Sequence, residues 1–294
     1  MFHNSVCSYP DRGSYGKSNY RGNCTGHIVK DFIGSYMRRN DGLVADPSIG
    51  GGTSVDVARE MGVRFKGTDL HQGFNLLRDD FREFLQEDAH LVWWHPPYAN
   101  MIQYSGNVWG EADKWDMSRL SIKDFTEALE LSVMNIHDAC EVGGHYGILM
   151  GNLRKEGRYF NLSSLVERLA PGVLVDEIIK IQHNCTSDSR SYQGRLVRIA
   201  HEKLLVFRRG SRDTSVFFLV TVHKRASAMM SCTWRAAVRR ILQGQTLPLA
   251  DIYKRIESFA ETKSNQHWMA KVRQVLQDER FFDRVETGVY RLAA

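Results

Sequence analysis

Apolar residues recur at helical spacing over residues 28–37 and predict a helix near the start of the chain. A short apolar strand over residues 43–45 runs into a glycine-rich turn over residues 46–54, and an amphipathic stretch after the turn predicts a second helix. Residues 63–69 indicate a second strand, and the apolar run that ends at 94 indicates a third. A strand, a glycine turn and a helix in this order predict a doubly wound α/β sheet.

The second half of the chain continues this alternation and then changes character. Apolar stretches over 143–151, 173–181 and 196–207 predict further strands, after which three short amphipathic helices and a hairpin follow. That last arrangement resembles a winged helix. We therefore predict an α/β domain with an N-terminal arm over residues 1–210, a linker over 211–231, and a winged-helix domain over 232–294.

The composition is that of a soluble globular protein, with 43% hydrophobic and 25% charged residues in a chain of 294. No apolar run reaches the roughly eighteen residues of a membrane span. The N-terminus lacks a basic region followed by an apolar core, so no secretory signal is expected. The five cysteines are scattered and include no Cys-x-x-Cys pair, which argues against a zinc ribbon or a disulfide framework. We expect a cytoplasmic protein.

Positive charge is concentrated in one part of the sequence. The net charge is +5, but residues 190–240 contain 12 Lys or Arg and only two acids, Glu202 and Asp213. A positive surface of that density favours a polyanionic partner, most simply nucleic acid. A solvated basic face without a partner stays open as the alternative.

The glycine turn suits a nucleotide-like ligand. Its glycines let the backbone approach a ligand closely, and the helix that follows presents free N–H groups. Asp69 lies 23 residues after Asp46, about the offset at which an acid meets a pair of ribose hydroxyls. No Gly-Lys-Ser/Thr follows Gly50, which excludes a Walker phosphate loop, and the turn fits the dinucleotide fingerprint poorly.

A second unusual segment, His95-Pro96-Pro97-Tyr98, follows the third strand. Two prolines cannot continue a sheet ladder, so the chain must turn out at the carboxyl edge of the sheet, where open α/β sheets bind ligands. The segment offers a polar ring, a free carbonyl and an aromatic face, which together suit a flat ring with an exocyclic amine. A proline-stiffened loop with a packed tyrosine is the alternative.

Both segments resemble motifs of one enzyme family. Residues 46–53, Asp-Pro-Ser-Ile-Gly-Gly-Gly-Thr, resemble the DP-x-x-G-x-GT motif of the S-adenosylmethionine-dependent DNA amino-methyltransferases. Residues 95–98 resemble the (D/N/S)-P-P-(Y/F/W) catalytic motif of that family, and residues 26–36 stand where it has a helix that completes the methionine pocket. The resemblance covers about residues 15–210 and implies a Rossmann-like methyltransferase sheet.

The resemblance implies a site for S-adenosyl-L-methionine and a neighbouring site for a flipped base. The implied cofactor-binding residues are Asn23, Cys24, Asp46, Pro47, Ser48, Gly50, Thr53, Asp69, Leu70 and His95. The implied catalytic residues are His95, Pro96, Pro97 and Tyr98. In this scheme the side chain at 95 and the carbonyl of Pro96 accept from the target amine, while Tyr98 stacks on the base. Such a reaction needs no metal, because the amine attacks the sulfonium methyl in line.

His95 departs from the family motif. Adenine-N6 enzymes usually have Asp at this position, and cytosine-N4 enzymes usually have Ser. A neutral histidine has one acceptor nitrogen and can accept one amine hydrogen, whereas a histidinium only donates. We predict a sequence-specific methyltransferase of the adenine N6 amine. A cytosine-N4 enzyme stays open, as does an inactive protein that binds cofactor and DNA.

Double-stranded DNA is the expected partner, and its contacts are predicted in three places. These are a polar and aromatic loop over 99–110, a polar loop over 184–195, and the exposed face of the third C-terminal helix. The candidate DNA-binding residues are Tyr104, Ser105, Arg190, Tyr192, Arg195, Gln266, His267 and Lys271. A plain surface loop at 99–110, a winged helix that binds protein, and a homodimer stay open.

Overall fold

The computed structural model describes residues 1–183, 196–211, 213, 233–257 and 265–293. The helices are α1 (Gly26–Tyr36), α2 (Thr53–Met61), α3 (Phe81–Leu85), α4 (Ile122–Ala139), α5 (Leu162–Leu169), α6 (Trp234–Leu242), α7 (Leu249–Ile256) and α8 (Trp268–Leu276). The strands are β1 (Val6–Ser8), β2 (Val44–Asp46), β3 (Phe65–Gly67), β4 (Ala89–Trp94), β5 (Cys140–Gly151), β6 (Leu153–Lys155), β7 (Arg158–Phe160), β8 (Val173–Ile181), β9 (His201–Arg208), β10 (Leu247–Pro248), β11 (Phe282–Glu286) and β12 (Val289–Leu292).

A central sheet of seven strands has the order β1-β8-β9-β5-β4-β2-β3. β9 runs antiparallel to both of its neighbours, and every other adjacent pair is parallel. Because Val44 on β2 lies beside Phe65 on β3 and Leu91 on β4, the carboxyl ends of these three strands meet at one edge. The glycine turn and the His95 segment therefore leave the sheet side by side. They lie at a topological switch point of the sheet, because β3 lies on one side of β2 and β4 lies on the other.

Helices cover both faces of the sheet, which confirms the predicted doubly wound class. Leu91 and Trp93 of β4 pack in a cluster with α1 and α2, whereas Val92 and Trp94 pack with α3, α4 and α5 on the other face. Every residue of β4 is buried, which is why five of its six residues are apolar and His90 is the exception. Truncating Trp94 to alanine would cost about 3–5 kcal/mol, the usual range for a large buried aromatic.

The edge strand β1 was not predicted. Val6 pairs with Ile179 and Ser8 with Ile181, so the first residues of the chain extend the sheet beside β8. The sequence of the arm, rich in glycine, serine and asparagine, has loop composition. Three residues are too few to show a strand period, and the pairing depends on a distant strand.

The C-terminal residues form a separate three-stranded sheet with three helices. β10 pairs with β12, and β12 pairs with β11 in the predicted hairpin, which turns at Thr287-Gly288. α6, α7 and α8 correspond to the three helices expected from the apolar spacing. Ile252 and Val272 are fully buried between these elements, so the unit has apolar residues of its own. The predicted linker over 211–231 lies outside the described residues except for Ser211 and Asp213.

The C-terminal unit packs against the α/β domain through buried cations. Arg235 pairs with Asp80 at 3.0 Å, and Arg239 pairs with Asp138 at the end of α4. Burial opposes ionisation of Asp138, but Arg239, His137 and Arg235 together hold the pKa of that carboxyl well below its usual range. The ring of Phe281 lies 5.0–5.4 Å from the guanidinium groups of four arginines, Arg209, Arg235, Arg239 and Arg280.

This packing corrects the interpretation of the basic segment. Arg209, Arg239 and Arg240 count among the 12 cations between residues 190 and 240, yet they are 3%, 7% and 6% exposed. Lys203 from the same segment is paired with Glu177. Part of the positive charge of this segment therefore lies in contacts between the C-terminal unit and the α/β domain and between β8 and β9. These cations do not form a surface for a polyanion. In the part of the chain that is described, no helix is long and apolar enough to cross a membrane.

Candidate functional site

A cavity that is partly open to solvent lies at the carboxyl edge of β2, β3 and β4. All ten residues predicted to bind a cofactor line it: Asn23, Cys24, Asp46, Pro47, Ser48, Gly50, Thr53, Asp69, Leu70 and His95. The topology explains this for the eight residues from Asp46 onward, because β2, β3 and β4 end at the same edge. Asn23 and Cys24 reach the cavity from the segment before α1. The glycine turn and the His95 segment thus face one continuous space.

Asp46 shapes the glycine turn. Its Oδ1 accepts the backbone N–H of Ser48 at 2.8 Å, and its Oδ2 accepts the hydroxyl of Ser54 at 2.5 Å. Burial raises the pKa of the Asp46 carboxyl to about 7, although both hydrogen bonds oppose this shift. Asp46 is therefore held in place at the cavity wall and is poised near the point of ionisation at neutral pH.

Asp69 fixes the opposite side of the turn. Its Oδ2 accepts the N–H of Gly50 at 2.8 Å, and its Oδ1 lies 2.7 Å from Nδ1 of His71. The carboxylate raises the pKa of His71 through that hydrogen bond. Gly50 has φ of +49°, which L side chains rarely adopt. Asp69 thus lies at the end of β3, where it reaches the cavity.

The N-terminal arm, residues 1–25 before α1, lies across the glycine turn. The N–H of Lys17 donates to the carbonyl of Gly51 at 2.8 Å. A Cβ on Gly51 would come within 2.8 Å of Asn23 and 2.9 Å of Tyr20, so the arm approaches the turn as closely as a glycine allows. The ring of Tyr20 stacks on Tyr104, with centroids 5.8 Å apart and planes at 20°.

Two polar groups at the cavity are buried without a partner among the described residues. They are the hydroxyl of Thr53, in the first turn of α2, and the amide nitrogen of Asn75. An unsatisfied buried polar group costs about 1–3 kcal/mol. Gly52, which has no side chain to cap α2, precedes Thr53. The cavity is therefore suited to a ligand with polar groups that can reach both residues and the N-terminus of α2.

The His95 segment leaves β4 and forms the next wall. His95 and Pro97 line the cavity, while Pro96 is buried. Burial lowers the pKa of His95 to about 4, so its ring is neutral at neutral pH. Ala99, directly after the segment, has φ of +47°, a conformation that alanine rarely adopts and that often marks a functional turn.

Tyr98 points toward the sheet. Its hydroxyl lies 2.8 Å from Nε2 of His95 and donates to Oε1 of Glu202 at 2.6 Å. A Cβ on Gly151 would lie 2.4 Å from the tyrosine ring, so the ring rests on bare backbone. The second oxygen of Glu202 accepts from Lys180 at 2.5 Å. Since the ring of Tyr98 packs against β5, its stacking on a base stays a prediction.

In the loop after this segment, one residue that was predicted to contact DNA, Ser105, has a structural role. Ser105 is fully buried, and both its N–H and its hydroxyl donate to Oδ2 of Asp116 at 2.7 Å. The hydroxyl also accepts the N–H of Asp113 at 3.0 Å. Ser105 orders the loop, and a DNA contact does not fit a side chain without exposed surface. Tyr104 lines the cavity and stays a predicted DNA contact.

The remaining predicted DNA contacts divide between α8 and the polar loop. Gln266 and His267, which precede α8, are exposed. Lys271 on α8 lies 3.4 Å from Glu83 on α3, so this cation faces the groove between the two units. The other three candidates, Arg190, Tyr192 and Arg195, lie outside the described residues.

Sequence reasoning missed several residues of the site. The cavity is completed by side chains that no motif marks: Tyr20, Phe74, Asn75, Leu76, Leu77, Trp109, Trp115, Asp116 and Met117. Glu202 was missed as well, because β9 also contains His201, Lys203 and Arg208, and its sequence does not show which polar residue is buried. Its partner Lys180 was missed for the same reason, since β8 also contains Asp176 and Glu177.

No protein-family model matches the sequence, and no curated protein matches it. Solved structures with similarity include TrmN from Thermus thermophilus, at 12% identity over 64% of this chain and 50% of that chain, with a TM-score of 0.38. A SAM-dependent methyltransferase from Archaeoglobus fulgidus matches at 14% identity, over 65% and 97% of the two chains, with a TM-score of 0.34. A candidate DNA modification methylase, also from Thermus thermophilus and complexed with S-adenosyl-L-methionine, matches at 19% over 52% and 59%, with a TM-score of 0.30. Similarities of this size say nothing about substrate.

Proposed function

We propose that this protein is a DNA methyltransferase that transfers a methyl group from S-adenosyl-L-methionine to the N6 amine of a flipped adenine. One observation carries the proposal: a single cavity is lined both by the glycine turn with Asp69 and by a neutral histidine in a Pro-Pro turn. A cofactor bound at the glycine turn and an acceptor amine hydrogen-bonded to His95 would lie next to each other in this cavity.

Asp69, Thr53 and Asn75 are the residues best suited to hold the cofactor. Asp69 presents a carboxylate for the ribose hydroxyls, and the unpartnered groups of Thr53 and Asn75 suit a ligand with several polar atoms. Asp46 and Gly50 would line the methionine end. Bound there, the cofactor would supply an electrophilic methyl. The acceptor nitrogen would take that methyl as the C–S bond breaks with the thioether as leaving group, and the proton lost from the nitrogen would pass to water.

His95 would accept a hydrogen bond from the target amine through the lone pair of its neutral ring. A ring with a pKa of about 4 stays neutral in the cell, so it accepts a hydrogen bond where a histidinium would repel the amine. Polarising the amine and holding its nitrogen in line are the two tasks that this chemistry requires of the protein. Cytosine N4 is the second candidate target, because a ring with one acceptor nitrogen also suits that amine.

The C-terminal unit is proposed to be a winged helix that contacts double-stranded DNA. The order helix, strand, helix, helix and hairpin, with β10 added to the hairpin, supports this assignment. In such folds the third helix enters the major groove with its N-terminal residues first. Gln266 and His267, exposed at that end of α8, are the proposed base contacts. The domains would be residues 1–210 and 232–294 with a linker at 211–231.

The test is mass spectrometry of nucleosides after incubation of the pure protein with cofactor and unmethylated plasmid. The proposal expects N6-methyladenine, found at one recurring sequence when the plasmid is mapped. N4-methylcytosine instead would establish the second candidate. A His95→Ala protein serves as the control. Methylation of added total RNA but not of DNA would overturn the assignment of substrate.

A further inference from the structure

A chain of four side chains runs from the cavity into the sheet. Nε2 of His95 lies 2.8 Å from the hydroxyl of Tyr98, that hydroxyl lies 2.6 Å from Oε1 of Glu202, and Oε2 of Glu202 lies 2.5 Å from Nζ of Lys180. Glu202 on β9 and Lys180 on β8 are only 6% and 9% exposed. A buried ion pair of this kind rarely adds net stability, which makes a role in the site worth testing.

The direction of each hydrogen bond follows from the chemistry of the groups. Lys180 can only donate. Burial raises the pKa of Glu202, but Lys180, His95 and the Tyr98 hydroxyl together lower it to about 2. Glu202 is therefore a carboxylate, which only accepts. The single hydrogen of the Tyr98 hydroxyl must then point to Glu202. Toward His95 the hydroxyl can offer only a lone pair.

It follows that Nε2 of His95 has to be the donor. In a neutral imidazole one nitrogen carries hydrogen and the other is the acceptor. If Nε2 carries the hydrogen, Nδ1 carries the lone pair. The other tautomer would place two lone pairs against each other at 2.8 Å and leave the ring without an acceptor for the amine.

We propose that Glu202 and Lys180 are positioning residues that orient the Tyr98 hydroxyl and so fix His95 as the Nε2–H tautomer, with Nδ1 as the acceptor for the substrate amine. The part that concerns the amine rests on the proposed methyltransferase function. The part that concerns the tautomer rests on the hydrogen bonds alone. The alternative is that the pair only joins β8 to β9.

The charged and titratable groups that face His95 support one fixed state. Tyr98 has a pKa well above its ordinary value, chiefly because it is buried, with Glu202 adding to the shift. Burial raises the pKa of the neighbouring thiol of Cys24 to about 12, so it is neutral. Glu202 and Lys180 are then the charges that act on the ring, and they oppose each other.

The tautomer can be measured directly by NMR of protein labelled with ¹⁵N in its histidine rings. The His95 signals are identified by their loss in His95→Asn. At pH 7 we expect the pattern of an Nε2–H ring. In Tyr98→Phe, which keeps the Glu202–Lys180 pair, and in Glu202→Gln, we expect a mixture of tautomers or the Nδ1–H form. A native His95 in the Nδ1–H form, or a pattern unchanged in both variants, would overturn the proposal.

Turnover provides the second readout, with a matched control on the same two strands. Glu202→Gln should lower kcat about tenfold or more with little change in cofactor affinity, since loss of a tautomer-fixing carboxylate costs about 10⁴-fold in a serine-protease triad. Lys180→Arg should retain more activity than Lys180→Met. Glu177→Gln breaks the other β8–β9 pair, with Lys203, and should leave kcat and the His95 spectrum unchanged.

These readouts separate the two proposals. If the protein methylates no nucleic acid, the NMR result still decides the tautomer. If methylation occurs but the His95 pattern is unchanged in both variants, the methyltransferase assignment stands and the positioning role fails. A loss of kcat in Glu177→Gln equal to that in Glu202→Gln would show that the pair matters only for joining the strands.

Discussion

Asp69 at the end of β3 accepts the backbone N–H of Gly50, 2.8 Å away in the turn after β2. One carboxylate therefore orders the glycine turn and also lines the cavity. Its two roles can be separated by substitution. Asparagine keeps an oxygen for the N–H of Gly50 but loses the charge, whereas alanine loses both.

We expect Asp69→Ala to weaken binding of S-adenosyl-L-methionine by about 1–3 kcal/mol, the scale of a lost hydrogen bond to a charged group. Asp69→Asn should lose less. Isothermal titration calorimetry measures both, with Asp41→Asn, an exposed acid before β2, as the control. Unchanged affinity in Asp69→Ala would show that the cofactor does not contact this residue.

Asp46 should make the stability of the free protein depend on pH. Burial raises its pKa to about 7 in the folded chain, against about 3.9 in an unfolded one. Between those values the folded state holds a proton that the unfolded state has lost, so stability falls as pH rises through this window. Asp46→Asn should flatten that fall, seen as a smaller difference in Tm between about pH 5 and pH 8. An equal difference in both proteins would contradict the shifted pKa.

The close approach of the arm to Gly51 predicts a specific loss of cofactor affinity. A Cβ there would meet Asn23 and Tyr20 at 2.8 and 2.9 Å, so Gly51→Ala should displace the arm and weaken cofactor binding about tenfold or more. Gly34→Ala, in α1, is the control, since its Cβ would have only an ordinary contact at 3.5 Å. Equal affinities in the two variants would mean that the arm does not cover the cofactor.

The position of the site was predictable because the motifs follow strands. Asp46 and His95 each come directly after an apolar run, Asp69 ends the strand predicted over 63–69, and the carboxyl ends of adjacent parallel strands must meet. The wall made by Asn75 and Trp115 was not predictable, since nothing in the local sequence fixes where those loops fold back. The direction of Tyr98 depends on Glu202, 104 positions later in the chain.

Charge was the least reliable guide. The count of cations between residues 190 and 240 does not tell a solvated arginine from one paired with a buried acid. Arg239 finds its partner, Asp138, 101 residues away, and such a pairing is decided by tertiary packing. A buried pair contributes no positive surface, so the case for DNA now depends on the geometry of the site and of α8.

Contacts by the C-terminal unit are better tested by point substitutions than by deletion. Arg235 and Arg239 pair with acids of the α/β domain, so removing residues 232–294 would leave buried charges unpaired. We expect the double variant Gln266→Ala with His267→Ala to weaken binding to the recognised sequence by about 1–3 kcal/mol per lost base contact. Lys254→Ala on the exposed face of α7 is the control.

Fluorescence anisotropy with specific and random duplexes, at two salt concentrations, is the measurement. Loss of affinity for the specific duplex alone would identify base contacts. An equal loss for both duplexes would identify contacts to phosphate. If the double variant still methylates the same sites at the same rate, recognition lies elsewhere, for example in the loop that holds Tyr104.

The pH profile of turnover tests the state of His95. Burial lowers the pKa of this ring to about 4, so kcat should stay level from pH 8 to about pH 5 and fall only near pH 4, where the lone pair is lost. With an unfolded value near 6.5, the neutral ring also contributes stability that is complete above about pH 6.5 and is lost as pH falls toward 4. His95→Ala should be nearly inactive, and His95→Asp should keep part of the activity.

The charged neighbours of His95 predict in which direction substitutions shift the acid limb of this pH profile. Lys180 lowers the pKa of the ring and Glu202 raises it. Lys180→Met should therefore move the acid limb of kcat to higher pH, and Glu202→Gln should move it to lower pH. An acid limb near about pH 6.5, the ordinary histidine value, in the native enzyme would show an exposed ring. A limb that persists at the same pH in His95→Asp, with native turnover in His95→Ala, would show that another group titrates and that His95 takes no part in the reaction.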